Sequence, residues 1–277
     1  MARRRKPAPP RKTDRRWHIP PPLVHGPEPL EGGSVLEELQ GPLAVVLWQA
    51  MRDVRLWTEA APEERAALFA AGAGAGWGRA ARTLAPEPSM RTALKVLAGV
   101  SASPTEVEEP ALAKASREIA EWAEEHGAPR TALAYQQNAA LSAPADPEAA
   151  LAAARLAVRA GDDARAEVWF RRTVGLARQA REWRLYAQAF RGLGTLYRSR
   201  GNLPGAHRFF IRALRGARRG GLRLEQAAAL HELFALSAQA GRAAEADRYG
   251  RMALESYGPR APEFETLTAE MEAFRAR

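Results

Sequence analysis

Four glycines constrain this chain more than any other feature. Gly127, Gly161, Gly201 and Gly241 lie 34, 40 and 40 residues apart, and each is followed five residues later by an alanine: Ala132, Ala166, Ala206 and Ala246. Self-similarity at a fixed period of this size marks arrays in which one supersecondary unit stacks on the next. Each glycine separates two stretches whose apolar residues recur at three- and four-residue steps, where a tight turn with positive φ is easiest for a residue lacking Cβ. Each alanine falls near the start of the second stretch, where a small side chain lets paired helices approach closely. No alternating strand of five residues or more occurs, so the expected fold class is all-α.

In the unit from Ala187 to Arg219, the order Phe190, Leu193, Gly194, Tyr197, Gly201, Ala206, Phe210 and Ala213 resembles the tetratricopeptide repeat (TPR) family. Arg218 stands where the family has a late proline, so the second helix is expected to run longer, in keeping with periods above the usual length of about 34. The unit from Pro147 keeps Gly161, Ala166 and Phe170 but has Ala153, Ala154 and Ala157 in place of Leu, Gly and Tyr. The unit from Ala227 keeps Leu230, Leu233, Gly241, Ala246, Ala253 and Pro259; the one from Ala113 keeps Ile119, Gly127, Ala132 and Ala139. The resemblance covers about residues 113 to 260. It implies a right-handed solenoid of four hairpins, at about 113–146, 147–186, 187–226 and 227–260. Phe264, Leu267, Met271 and Phe274 then give a final amphipathic helix, either a cap or the start of a fifth unit.

Ahead of the array, residues 1–33 contain eight prolines and three glycines, a composition expected to be disordered or polyproline-like. A helical pattern begins at residue 34, with Leu43, Val46, Leu47, Ala50, Val54 and Trp57 on one face. Further helices are expected after Pro62, over about Pro88 to Gly99, and from the cluster Ser103, Pro104 and Thr105. Residues 34–106 are thus read as an N-terminal helical region and 107–277 as the repeats with their terminal helix. The run Gly72, Gly74, Gly76 and Gly78 lacks the spacing and the preceding strand of a dinucleotide fingerprint, and no Lys-Ser or Lys-Thr follows it. It is read as a flexible connection.

Other chemistry is excluded by composition and spacing. With no cysteine there is neither a disulfide framework nor a thiolate site. No stretch approaches the roughly 20 apolar residues that span a bilayer, and the basic start runs into prolines, so a cytoplasmic location without membrane contact is expected. His18, His25, His126, His207 and His231 are scattered, and the adjacent acids Glu108 with Glu109, Glu124 with Glu125 and Asp162 with Asp163 diverge on a helix and read as solvated faces. Trp48, Trp57, Trp122, Trp169 and Trp183 read as packing residues. No catalytic constellation, metal site or cofactor is expected, and the chain is not read as an enzyme.

The formal charge of +9 is unevenly spread: residues 1–16 carry +7, 17–167 carry −8, 168–224 carry +13 and 225–277 carry −3. In the TPR family the first helix of each hairpin lines a concave groove, which the resemblance carries onto Arg155, Arg159, Gln188, Arg191, Thr195, Arg198 and His231. The family's carboxylate clamp for chaperone C-termini, which needs Lys and Asn, is not reproduced. On the second helices, Arg208, Arg212, Arg215 and Arg219 form a stripe with Arg171, Arg172 and Arg178 before it. The expected function is an interaction scaffold that takes an acidic peptide or protein segment in the groove. The alternative is association with nucleic acid through the stripe and tail, although few aromatics lie between the arginines in sequence. Docking of the acidic N-terminal region on the basic repeats is a third reading.

Overall fold

The computed structural model describes residues 35–69 and 75–276. The basic proline-rich tail, Gly72 and Gly74 lie outside them. All regular structure among the described residues is helical: α1 (Pro42–Glu59), α2 (Arg65–Phe69), α3 (Ala75–Leu84), α4 (Pro88–Ala102), α5 (Glu109–Glu125), α6 (Pro129–Ser142), α7 (Pro147–Arg159), α8 (Asp163–Ala180), α9 (Trp183–Ser199), α10 (Leu203–Arg219), α11 (Arg223–Gln239), α12 (Ala243–Tyr257) and α13 (Pro262–Arg275). A single turn at 35–38 precedes them. From α5 onward successive helices pack in adjacent pairs, α5 on α6, α7 on α8, α9 on α10 and α11 on α12.

The turns explain the period. At residues 127, 161, 181, 201, 221 and 241 the chain is left-handed, with φ between 59° and 74°. Each of these turns carries a backbone bond from the following N–H to the carbonyl five residues back: Ala128 to Ala123, Asp162 to Ala157, Glu182 to Ala177, Asn202 to Tyr197, Leu222 to Ala217 and Arg242 to Ser237. This is the Schellman closure, which satisfies a carbonyl left over at the helix end. From 161 to 241 these turns recur every 20 residues, so the 40-residue spacing is two equal helical steps. Arg181 occupies the left-handed position that glycine holds in the others. At Arg218 the helix runs on to Arg219 before the turn at Gly221.

Packing within a hairpin relies on rings seated against glycine. A Cβ on Gly194 would clash with the ring of Phe210, which is fully buried. Overpacking at such a contact typically costs about 1–3 kcal/mol. Ala153, Ala154 and Ala157 of α7 are all buried, and their small side chains let the helices close together. Leu267 and Met271 of α13 are buried against the last hairpin, and the ring of Phe274 meets Phe234 edge-on.

The N-terminal helices dock on the first hairpin. Glu38 accepts bonds from the backbone N–H groups of Arg130 and Thr131 at 2.9 and 2.7 Å, capping α6 from a remote segment. Buried Tyr135 and Asn138 donate to the carbonyls of Leu47 and Met51, so α6 is held by α1 through satisfied polar groups. Burial pushes the Tyr135 phenol up, keeping it a donor. Two expectations need correction. Gly76 and Gly78 lie within α3, where buried Trp77 donates to the Asp53 carboxylate, so the run is not wholly a connection. Ser103, Pro104 and Thr105 form a turn, and the next helix starts at Glu109, because the Pro104 carbonyl instead receives the Trp57 indole N–H at 2.7 Å.

Candidate functional site

The first helices α7, α9 and α11 also touch one another directly, α7 with α9 and α9 with α11. All seven positions named for a groove fall beside this row. Arg155, Arg159, Gln188, Arg191 and Thr195 line a cavity of about 700 Å³, together with Val158, Phe170 and Leu196. Arg191 also borders a second cavity of about 790 Å³, lined further by Arg198, His231, Leu224 and Tyr257. One residue of α9 therefore joins two adjoining cavities.

The charges in them are not free. Arg159 pairs with Glu124 of α5. Arg155 donates to Gln188 at 3.0 Å, and Gln188 in turn donates to Glu225 of α11 at 2.7 Å. Arg191 lies 3.8 Å from the same Glu225, Arg198 pairs with Glu232 at 2.9 Å, and His231 meets Glu270 of α13 at 2.7 Å. Polar contacts thus link every first helix to the next, at offsets of 33 to 39 residues. The acids of the flanking segments complement the basic segment inside the fold. Glu124 and Asp163 belong to this pairing, and Asp162 caps α8 by accepting from Arg165 N–H at 2.9 Å, so the reading of these acids as solvated faces is corrected.

The two cavities differ in sign. Among the described residues around the first, Arg155, Arg159 and Arg191 face Asp163 alone. Around the second, Glu225, Glu232, Glu263 and Glu270 outnumber Arg191 and Arg198. The Tyr257 phenol registers this field: burial first, then Glu263, Glu232 and Glu225, push it up to about 12 against the opposing effect of Arg191. Apolar contact is provided by Val158 and Leu224, 44% and 64% exposed. Sequence reasoning missed both, since each sits one step off the buried face of its helix and reads as an ordinary end-of-helix residue.

The arginine stripe divides. Arg172 is buried and donates to the Pro144 carbonyl at 2.8 Å, so it does not belong to an exposed face. Arg171 is held by Glu167 and the Tyr197 hydroxyl, in a network that Arg200 joins from the end of α9. Burial works to raise the Glu167 pKa, but hydrogen bonds from Arg171, Arg200 and Tyr197 outweigh it and hold the carboxyl below the usual glutamate range. Arg178, Arg208, Arg212, Arg215 and Arg219 remain exposed on α8 and α10. Arg219 lies over the Trp183 ring at 5.0 Å and Arg212 over Phe190 at 5.6 Å, so to the Phe209 and Phe210 that stand between Arg208 and Arg212 in sequence α9 adds further aromatics in space.

Among the described residues no group of three or more His, Asp or Glu is arranged to hold a metal ion, and no helix is long and apolar enough to cross a membrane. Compared with known proteins, the chain matches no family model and no curated sequence.

Proposed function

We propose that the chain is a TPR-like solenoid whose first helices form a groove for an extended acidic protein segment, with no chemistry of its own. The observation that carries this reading is the convergence of all seven sequence-named positions on two cavities joined at Arg191. Direct contact between first helices across the intervening second helix is consistent with those helices lying on the inner side of a curved stack. The acidic residues of the ligand belong at the α7–α9 cavity, where cations predominate. The segment is neutral or basic where it passes Glu263 and Glu270.

Energetics favour a mixed contact. Exposed ion pairs contribute only about 0.2–1 kcal/mol each, whereas micromolar binding requires about 8 kcal/mol. Val158, Leu224 and the floor at Phe170 and Leu196 must therefore supply much of the affinity. The test is fluorescence anisotropy of the full chain against a library of labelled extended peptides, comparing Arg155→Glu with Arg191→Glu. Acidic peptides should lose at least tenfold in affinity on either reversal. Undiminished binding of every acidic peptide would sink the reading.

A further inference from the structure

We propose that the exposed face of α8 and α10 is a second binding surface, separate from the groove, which takes single-stranded nucleic acid. Four observations lead to it. First, Arg208, Arg212, Arg215 and Arg219 recur at steps of four, three and four, which at about 100° per residue keeps them on one narrow strip of α10. At about 1.5 Å rise per residue the strip is about 16 Å long. It is a line of charge, which fits a linear polyanion better than one compact anion.

Second, its neutralisation differs from that of the first helices. There Arg159, Arg191 and Arg198 each meet a carboxylate of a neighbouring helix. On this face Arg178, Arg208, Arg215 and Arg219 have no carboxylate within 4 Å among the described residues. Glu182 is the one acid in the whole segment from 168 to 224. The fold thus spends its acids on one row of arginines and leaves the other facing solvent.

Third, the face has an aromatic element. The Trp183 and Tyr186 rings meet edge-to-face at 5.7 Å, and both are half-buried rather than enclosed. Glycine at 216 lets the Tyr186 ring settle against α10, and Arg178, Arg212 and Arg219 all bear on its hydroxyl. Fourth, all of these cations are arginine, whose planar fork binds phosphate oxygens in pairs and stacks on flat rings. Phosphate-matching cations beside aromatic rings are what a single strand requires, with its backbone on the charges and a base on the ring. An acidic peptide would use the cations and have no use for the rings.

The experiment titrates the full chain with a fluorescein-labelled oligothymidine of 20 nucleotides across a salt series. About five phosphate contacts give a log-log salt slope near −3.5 for a single strand. The exposed triple variant Arg208→Gln, Arg215→Gln and Arg219→Gln should reduce that slope by about 2, with unchanged helical circular dichroism. Trp183→Leu should weaken oligothymidine binding at least fivefold while leaving binding of polyglutamate unchanged. Arg191→Gln with Arg198→Gln, in the groove, should leave the oligonucleotide titration as in the parent, which separates this site from the groove. Absence of binding at low salt overturns the proposal, as does a triple variant that binds like the parent, which would assign the affinity to the basic tail. Polyglutamate competing as well as oligothymidine would make an acidic protein the occupant, and tighter binding of a duplex of the same length would exclude a single-strand site; either result overturns it.

Discussion

Arg181 is the one non-glycine residue with positive φ among the described residues, at 59°. The left-handed region costs an L-residue roughly 1–2 kcal/mol, because Cβ crowds the following carbonyl. Its side chain is exposed, so nothing packs against it to repay that strain. Arg181→Gly should raise the free energy of unfolding by about 1 kcal/mol, less the entropy that glycine adds to the unfolded chain. The measurement is the urea midpoint at unchanged m-value, and a midpoint that falls would contradict the strain argument. This residue also explains why the sequence shows only half of the regularity. Glycines mark the turns inside hairpins every 40 residues, while one of the turns between hairpins carries arginine in the same conformation. The turn at Gly221 was within reach of a sequence reading, being 20 residues after Gly201, but one instance does not make a period.

Between elements, the Glu167 network ties the α7–α8 hairpin to α9 through Arg200 and Tyr197. The Glu167 carboxyl is held below its ordinary value, so the folded state binds its proton more weakly than the unfolded chain does. Its stabilising contribution is therefore complete above the unfolded-state pKa and is lost as pH falls through the folded-state value. Glu167→Gln should lower stability at neutral pH and flatten the loss of stability on acidification, read from urea unfolding over a pH series. An acid limb as steep as the parent's would remove Glu167 from the account. Helix positions were legible because apolar periodicity is a property of one helix at a time: α1 starts at Pro42 and buries Val46, Leu47, Ala50, Val54 and Trp57 as that pattern predicts. The network was not, because Glu167 and Arg200 lie 33 residues apart and only the packing of two helices brings them together. The same reason hid the capping of α6 by Glu38, and it made Arg171 and Arg172 look like members of a solvent stripe.

On the scale of the whole molecule, the +13 carried by residues 168–224 is divided between two faces. One face is cross-linked by acids from the flanking helices, and the other is left open on α8 and α10. The sequence showed that opposite charges were segregated along the chain. It did not show that α11 returns Glu225 and Glu232 to the arginines of α9, or that α13 brings Glu270 to His231 of α11, because that depends on how far one hairpin advances on the next. The positions named for a groove lie beside one another in the fold, but Arg159, Arg191 and Arg198, read from the sequence as bare cations, are each one half of an ion pair. In the groove we propose, a ligand therefore competes with Glu225 and Glu232 for Arg191 and Arg198, and the α7 end, where Arg155 is bonded to neutral Gln188 alone among the described residues, is its strongest foothold. Hydrogen-exchange mass spectrometry of the full chain with and without a tight-binding acidic peptide tests this most directly. Slowed exchange over α7 and α9, at Pro147–Arg159 and Trp183–Ser199, with α8 and α10 unchanged, is the predicted footprint; protection confined to α8 and α10 would contradict it.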